Sequence, residues 1–320
     1  SRHLFYLLNS SLSLPDTSFH LHKSGRSDTL IDPVFSVEHL GSVIDGSAAK
    51  TIYTNEGDVM RNSLSKYVFA AKYPKYIPEL KRRETYEESV DRVLDMHQAR
   101  YPELDLEPVR KAYKNKIIAG SQRGLQFGGT AIEEKNARIY NCVVSFCDRP
   151  SFFKECFWLL LCGCGAGFSV QKHHVARLSP VRKPDATTSH IIADSIEGWA
   201  EAADALIQAY LYNEPLPIFD YSEIRPKGAS LRHGGLAPGP EPLRLALTRV
   251  AAILQHSVGR QLRPIDAFDI TMHLADAVIS GGIRRSATIA VFSADDSDMI
   301  NAKTGNWFID NPQRGRANIS

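Results

Sequence analysis

Ser280-Gly281-Gly282-Ile283-Arg284-Arg285-Ser286-Ala287-Thr288 sets two glycines beside two arginines, between two apolar runs. The run before it, residues 273–279, is helix-compatible. The run after it, Thr288-Ile289-Ala290-Val291-Phe292, is rich in β-branched and aromatic residues and reads as a buried strand. Paired glycines let the backbone bend and approach a ligand, because no Cβ stands in the way. Arginine forks suit phosphate, and their flat faces suit a base. The stretch is a candidate nucleotide-contacting loop on an α/β scaffold.

Working outward, residues 117 onward carry a mixed α/β texture. Residues 139–146 read as a strand, 152–161 as a helix and 168–171 as a short strand. Between the last two lies Gly163-Cys164-Gly165-Ala166-Gly167. A dinucleotide fingerprint follows a strand and opens a helix. These glycines follow a helix and precede a strand, so they read as a tight turn that lets a ligand or strand come close. Residues 195–212 form an amphipathic helix with Ile196, Trp199, Ala203, Leu206, Ile207 and Tyr210 on one face. Asp194 is its expected N-cap, with Glu197 three residues on. Further helices are expected over 241–257 and 265–279, with Pro264 closing the loop before the second.

Residues 64–116 have helical periodicity, Thr85 makes a helix start, and Arg82-Arg83-Glu84-Thr85 reads as a solvated turn and cap. Residues 1–62 look unlike the rest. They are expected to be an extension outside the fold, the native start lying near Met60. The expected division is therefore 1–62 as extension, 63–118 as an N-terminal helical region and 119–320 as the α/β body.

The chain has 320 residues and a formal charge of +2. Near-neutrality argues against a protein that coats nucleic acid. Residues 152–170 come nearest to a membrane span, but Lys154, Glu155 and small residues break the run. No secretory signal is evident, so a reducing, cytoplasmic location is expected. The five cysteines, Cys142, Cys147, Cys156, Cys162 and Cys164, include no Cys-x-x-Cys pair, and no metal site is expected. Cys156 and Cys162 read as buried small hydrophobes. Cys142 follows Asn141 in a strand near glycine turns, where a thiol could face a site, though the pattern alone favours a buried core position. His173-His174 and His190 read as surface or loop residues, and Asp295-Asp296-Ser297-Asp298 as a solvated turn. The segment from Arg225-Pro226-Lys227-Gly228 to Gly239-Pro240-Glu241-Pro242-Leu243 is long, cationic and glycine-rich. With the Gly281–Ser286 loop it makes two basic glycine loops, a pattern suited to a nucleoside di- or triphosphate.

The order of these pieces resembles one family, the adenosylcobalamin-dependent (class II) ribonucleotide reductases of the monomeric ribonucleoside-triphosphate type. The resemblance is carried by Lys72-Tyr73-Pro74-Lys75-Tyr76 with Arg82-Arg83-Glu84-Thr85, by Gly128-Gly129-Thr130, by Asn141-Cys142 and by Gly163-Cys164-Gly165-Ala166-Gly167-Phe168. It continues through Asp194-Ser195-Ile196-Glu197-Gly198-Trp199, Asp220-Tyr221-Ser222 with Ile224-Arg225-Pro226-Lys227-Gly228, and Gly239-Pro240-Glu241-Pro242-Leu243. It ends with Gly281-Gly282-Ile283-Arg284-Arg285-Ser286-Ala287 and Asn311-Pro312-Gln313-Arg314-Gly315 with Ala317-Asn318-Ile319-Ser320.

The resemblance implies a helical region followed by the first half of a ten-stranded α/β barrel. It implies adenosylcobalamin as radical source, a ribonucleoside triphosphate as substrate, a deoxynucleoside triphosphate as effector and a thioredoxin-type reductant. Cys142 would be a catalytic cysteine, the first of two that reduce the ribose. Asn141, Gly165 and Gln126, in the strand before Gly128, would line the substrate. Arg225, Lys227 and Gly228 would belong to the first specificity loop, and Gly281, Gly282, Arg284 and Arg285 to the second. The family's radical cysteine and second reducing cysteine have no counterpart here, so the chain is expected to be an amino-terminal fragment, inactive alone. Two alternatives compete: a class I large subunit, and a module that binds deoxynucleotides without chemistry.

Overall fold

In a computed structural model of the chain, the described residues are 6–7, 57–230, 236–279 and 287–319. The chain divides into two compact units, residues 9–139 and residues 140–320 with 1–8. The first described strand, β1 (Tyr6–Leu7), belongs to the larger unit.

The smaller unit is helical, with α1 (Gly57–Lys72), a small ribbon of β2 (Tyr76–Ile77) and β3 (Arg82–Arg83), then α2 (Tyr86–Arg100), α3 (Glu107–Lys114), α4 (Gln122–Phe127) and α5 (Thr130–Glu134). Thr85 opens α2 through a reciprocal capping box: its side chain accepts from the Glu88 N–H, and Glu88 accepts from the Thr85 N–H. Val90, Val93 and Leu94 of α2 pack with Tyr113 and Leu125. Two sequence expectations change here. Mixed α/β texture does not begin at 117, because α4, α5 and a 3₁₀ turn, Asn136–Ile139, occupy that stretch. Nor is Glu84 part of a solvated turn: its side chain is 8% exposed and is gripped by Arg92, at 2.7 Å from Nε and 2.8 Å from Nη2.

The larger unit is built on a five-stranded sheet of order β1, β4 (Cys142–Phe146), β5 (Gly165–Ser169), β8 (Thr288–Val291) and β9 (Ala317–Ile319). β4, β5, β8 and β9 are parallel, and β1 is antiparallel to β4. The helices α6 (Ser151–Leu161) and α7 (Lys172–Val175) flank β5 in the chain. β6 (Thr187–Ile191) and β7 (Leu216–Asp220) pair in parallel as a separate ribbon, joined by α8 (Ile196–Tyr212). α9 (Glu241–His256) and α10 (Pro264–Ile279) pack together before β8, and α11 (Ser297–Ile300) and α12 (Trp307–Asp310) precede β9.

The sheet's two faces differ. Val143, Ala166, Thr288 and Ala317 fall in register on one face and are all buried, as are Ser145, Phe168 and Ala290. The opposite face holds Cys142, Val144, Gly165, Gly167, Ile289 and Val291, and Cys142, Ile289 and Val291 are exposed. This face belongs to parallel strands, which normally bury both sides.

Several boundaries move. β5 starts at Gly165, so the glycines are largely strand, and the turn is closed by Gly163 at φ 91°. Pro264 is the first residue of α10 rather than the end of a loop, a position where its missing N–H costs nothing. Ser195, not Asp194, caps α8, accepting from the Gly198 N–H at 3.0 Å. Asp296 is buried and caps α11, so the acidic run is not wholly solvated.

Candidate functional site

Three strand starts meet at one edge of the sheet. Cys142 opens β4 and stands in register with Gly165, which opens β5. The Gly165 N–H donates to the Asn141 carbonyl at 2.7 Å, and the Ala166 N–H donates to the Ala287 carbonyl at 2.9 Å. These backbone bonds fix Asn141, Cys142, Gly165 and Ala287 side by side. A Cβ on Gly165 would sit 3.4 Å from the Ala287 oxygen and 3.5 Å from the Asn141 oxygen. Its absence leaves a shelf beside Cys142.

Cys142 is the exposed thiol of the five, and Cys147, Cys156, Cys162 and Cys164 are buried. Burial pushes the Cys147 thiol well up, helped by Cys156 and Asp148, and pushes Cys156 up to about 12. Those two are inert as thiolates, whereas Cys142 meets solvent on a rigid strand. All five are unbridged.

Gln126 is placed differently from its expectation. It is half-buried in helix α4, not in a strand, and it lies in the smaller unit. The run Gly124-Leu125-Gln126-Phe127 takes helical form because Ser121 caps it and Leu125 and Phe127 bury opposite edges of the turn. Beyond it, Arg92 and Lys75 both donate to the Gly128 carbonyl, at 2.9 and 2.7 Å, and Gly129 takes φ 78°.

A second cluster follows β7. Arg225 Nε donates to Asp194 at 2.6 Å, which explains why Asp194 is not free to cap α8. Lys227 and Gly228 are exposed, Gly228 has φ 89°, and its N–H donates to the Ala237 carbonyl at 2.9 Å. Ser230 and Leu236 bridge antiparallel. The guanidinium of Arg244, on α9, lies 4.0 Å from the Tyr221 ring centroid. Sequence reading overlooked Arg244, whose only signal was a cation one turn into a helix opened by Pro-Glu-Pro. Gly281, Gly282, Arg284 and Arg285 lie outside the described residues.

Among the described residues no group of three or more His, Cys, Asp or Glu side chains could hold a metal ion, and no helix is long and apolar enough to cross a membrane. A cavity of about 360 Å³ lies between α6 and α8, lined by Lys154, Glu155, Trp158, Glu197, Ala200 and Glu201 among others. It has room for a small ligand and not for a corrin ring with its nucleotide tail.

The fold is similar to that of a crystal structure of a B12-dependent class II ribonucleotide reductase, which superposes with a TM-score of 0.66 at 22% identity, over 84% of this chain and 48% of that one. In sequence, the chain is similar to adenosylcobalamin-dependent ribonucleoside-triphosphate reductases. It is 28% identical to that of Lacticaseibacillus paracasei over 307 residues and 28% identical to that of Lactobacillus leichmannii over 306, in both cases across 72% of this chain. A probable enzyme of the same name from Dictyostelium discoideum is 35% identical over 125 residues, 39% of this chain and 16% of that protein. The chain spans about 41% of the length of the two bacterial relatives. No family model matches it.

Proposed function

We propose that this chain supplies the first reducing cysteine and the nucleotide-contacting loops of an adenosylcobalamin-dependent ribonucleotide reductase acting on ribonucleoside triphosphates. The observation that carries the reading is Cys142: an exposed thiol on a rigid strand start, in register with a side-chain-free shelf at Gly165.

The chemistry sets what the site must do. Removing the ribose 2′-hydroxyl as water takes two electrons and two hydrogens. Two thiols give these up and join as a disulfide, which a thioredoxin-type protein then reduces. A reducing thiol has to be held at fixed distance from the ribose, and a strand start does this better than a loop. Asn141 and Gly165 would border the sugar. Arg225, Lys227 and Gly228 would form the first effector-responsive loop, and Gly281 to Ala287 the second, with a deoxynucleoside triphosphate as effector.

Adenosylcobalamin would supply the initiating radical. The α6–α8 cavity does not fit it. The parallel sheet with one open face supports the further reading that the α/β body forms the first half of a ten-stranded barrel. Five unbridged cysteines favour a reducing, cytoplasmic setting.

The test is alkylation and turnover. A ribonucleoside triphosphate should protect Cys142 from N-ethylmaleimide in this chain. C142S should abolish dithiol-dependent ribonucleotide reduction by the full-length enzyme while leaving triphosphate binding intact. Turnover that survives C142S removes the assignment.

A further inference from the structure

α6 and α8 pack together and are joined by two cross-links. Lys154 Nζ donates to Asp204 at 3.2 Å, and one turn further along α6 the Trp158 indole N–H donates to Glu197 at 2.9 Å. The earlier α6 residue holds the later α8 residue, so the helices run in opposite senses here. On α8 the two acceptors stand about two turns apart. Ala200, with only a methyl to offer, occupies the interval between them. The cavity of about 360 Å³ lies in the gap, with Trp158, Leu159 and Ala200 supplying carbon surface to its walls.

Most of the charges around this gap already have partners. Lys154 is turned to Asp204. Glu155 is held by Arg149 and by the Ser151 hydroxyl, and Glu197 accepts from Trp158. Glu201 differs: it is exposed, follows Ala200 directly, and makes no ion pair or side-chain hydrogen bond among the described residues. The lining therefore sets three carboxylates against one ammonium, a balance that repels anions. It is also no metal centre, since among the described residues no group of three or more such side chains could hold a metal ion. The Trp158 N–H is committed to Glu197, so the indole offers the cavity its carbon surface, which attracts cations as well as apolar groups.

We propose that the α6–α8 cavity binds a small organic cation, an ammonium carried on an apolar body. The body lies against Trp158, Leu159 and Ala200, and the ammonium meets Glu201 at the mouth. Charge complementarity selects this occupant. A neutral apolar guest would strip water from the Glu201 carboxylate and return nothing to it, which is costly for a charge. An ammonium gives that carboxylate the partner it lacks.

The probe is phenethylamine, charged at neutral pH, with phenethyl alcohol and hydrocinnamate as its neutral and anionic counterparts. Binding is read in the full chain from the indole N–H resonance of Trp158, assigned by its loss in W158F, with the Trp307 resonance as control. The amine should shift the Trp158 signal saturably and leave Trp307 in place. The alcohol should bind about two- to fivefold more weakly, the range of one exposed ion pair, and the acid more weakly still. E201Q, a change at an exposed position, should lower amine affinity by the same factor and leave that of the alcohol unchanged. High salt should narrow the gap between amine and alcohol. Equal affinity for amine and alcohol, undiminished amine binding in E201Q, or no saturable shift at Trp158 overturns the proposal. A Trp158 resonance that moves with protein concentration alone overturns it too, because a second copy of the chain then covers the face.

Discussion

Arg92→Leu offers the sharpest test of how the smaller unit is held. Arg92 makes four hydrogen bonds: Nε and Nη2 to the two Glu84 oxygens at 2.7 and 2.8 Å, Nη1 to the Gly128 carbonyl at 2.9 Å and Nη2 to the Leu125 carbonyl at 2.8 Å. Removing the guanidinium leaves the Glu84 carboxylate, 8% exposed, with only the Ser89 hydroxyl and the Lys75 N–H. Stranding one member of a buried pair costs about 3–5 kcal/mol. At about 1.4 kcal/mol per factor of ten, opening should rise by roughly two to three and a half orders of magnitude. The control is built in. Arg82 also grips its carboxylate, Glu88, at two points, from Nη1 and Nη2 at 2.7 and 2.8 Å, but both side chains are about two-fifths exposed. R82L should change little, because water screens that pair and Thr85 still holds Glu88 in the capping box. The assay is native-state hydrogen exchange of the α2 amides. Tryptophan fluorescence would miss the event, since Trp158, Trp199 and Trp307 all lie in the larger unit. Exchange in R92L within tenfold of R82L refutes the reasoning, because the Arg92 pair is buried and its guanidinium also holds the Gly128 and Leu125 carbonyls.

The same carboxylate sets a pH dependence. Burial pushes Glu84 up, but hydrogen bonds from Arg92, the Lys75 N–H and Ser89 outweigh it and hold the carboxyl below its ordinary value of 4.5. Its stabilisation is therefore complete above the unfolded value and lost as pH falls through the lower native one, so E84Q should flatten the acid limb of an unfolding titration; an unchanged slope contradicts this. In native protein N-ethylmaleimide should label Cys142 first, with Cys147 and Cys156 reacting only in denaturant, and mass spectrometry of the labelled peptides decides it. S195A should destabilise the larger unit by about 0.5–2 kcal/mol through loss of the α8 cap, measured by urea titration of tryptophan fluorescence, whereas D194N should release Arg225 and spare the cap.

Local rules carried much of the reading. The amphipathic period of 196–212, the strand character of 288–291 and the Thr85 helix start are properties of a few neighbouring residues, and each took the expected form. Motif order was also legible, since it belongs to the chain alone, and it pointed to the similarity to ribonucleotide reductases that the comparisons bear out. What required the tertiary structure was every choice between two local options. Asp194 and Ser195 can both cap α8, and only the arrival of Arg225 from 31 residues away settles which one does. Residues 124–127 are apolar enough for strand or helix, and packing against α2 decides for helix. Asp276 and Thr288 look unrelated along the chain until Arg316 joins them. Cys142 could have been a core cysteine like the other four. Its exposure comes from the pleat, which turns alternate residues of β4 to opposite faces, and only the assembled sheet determines which face is covered.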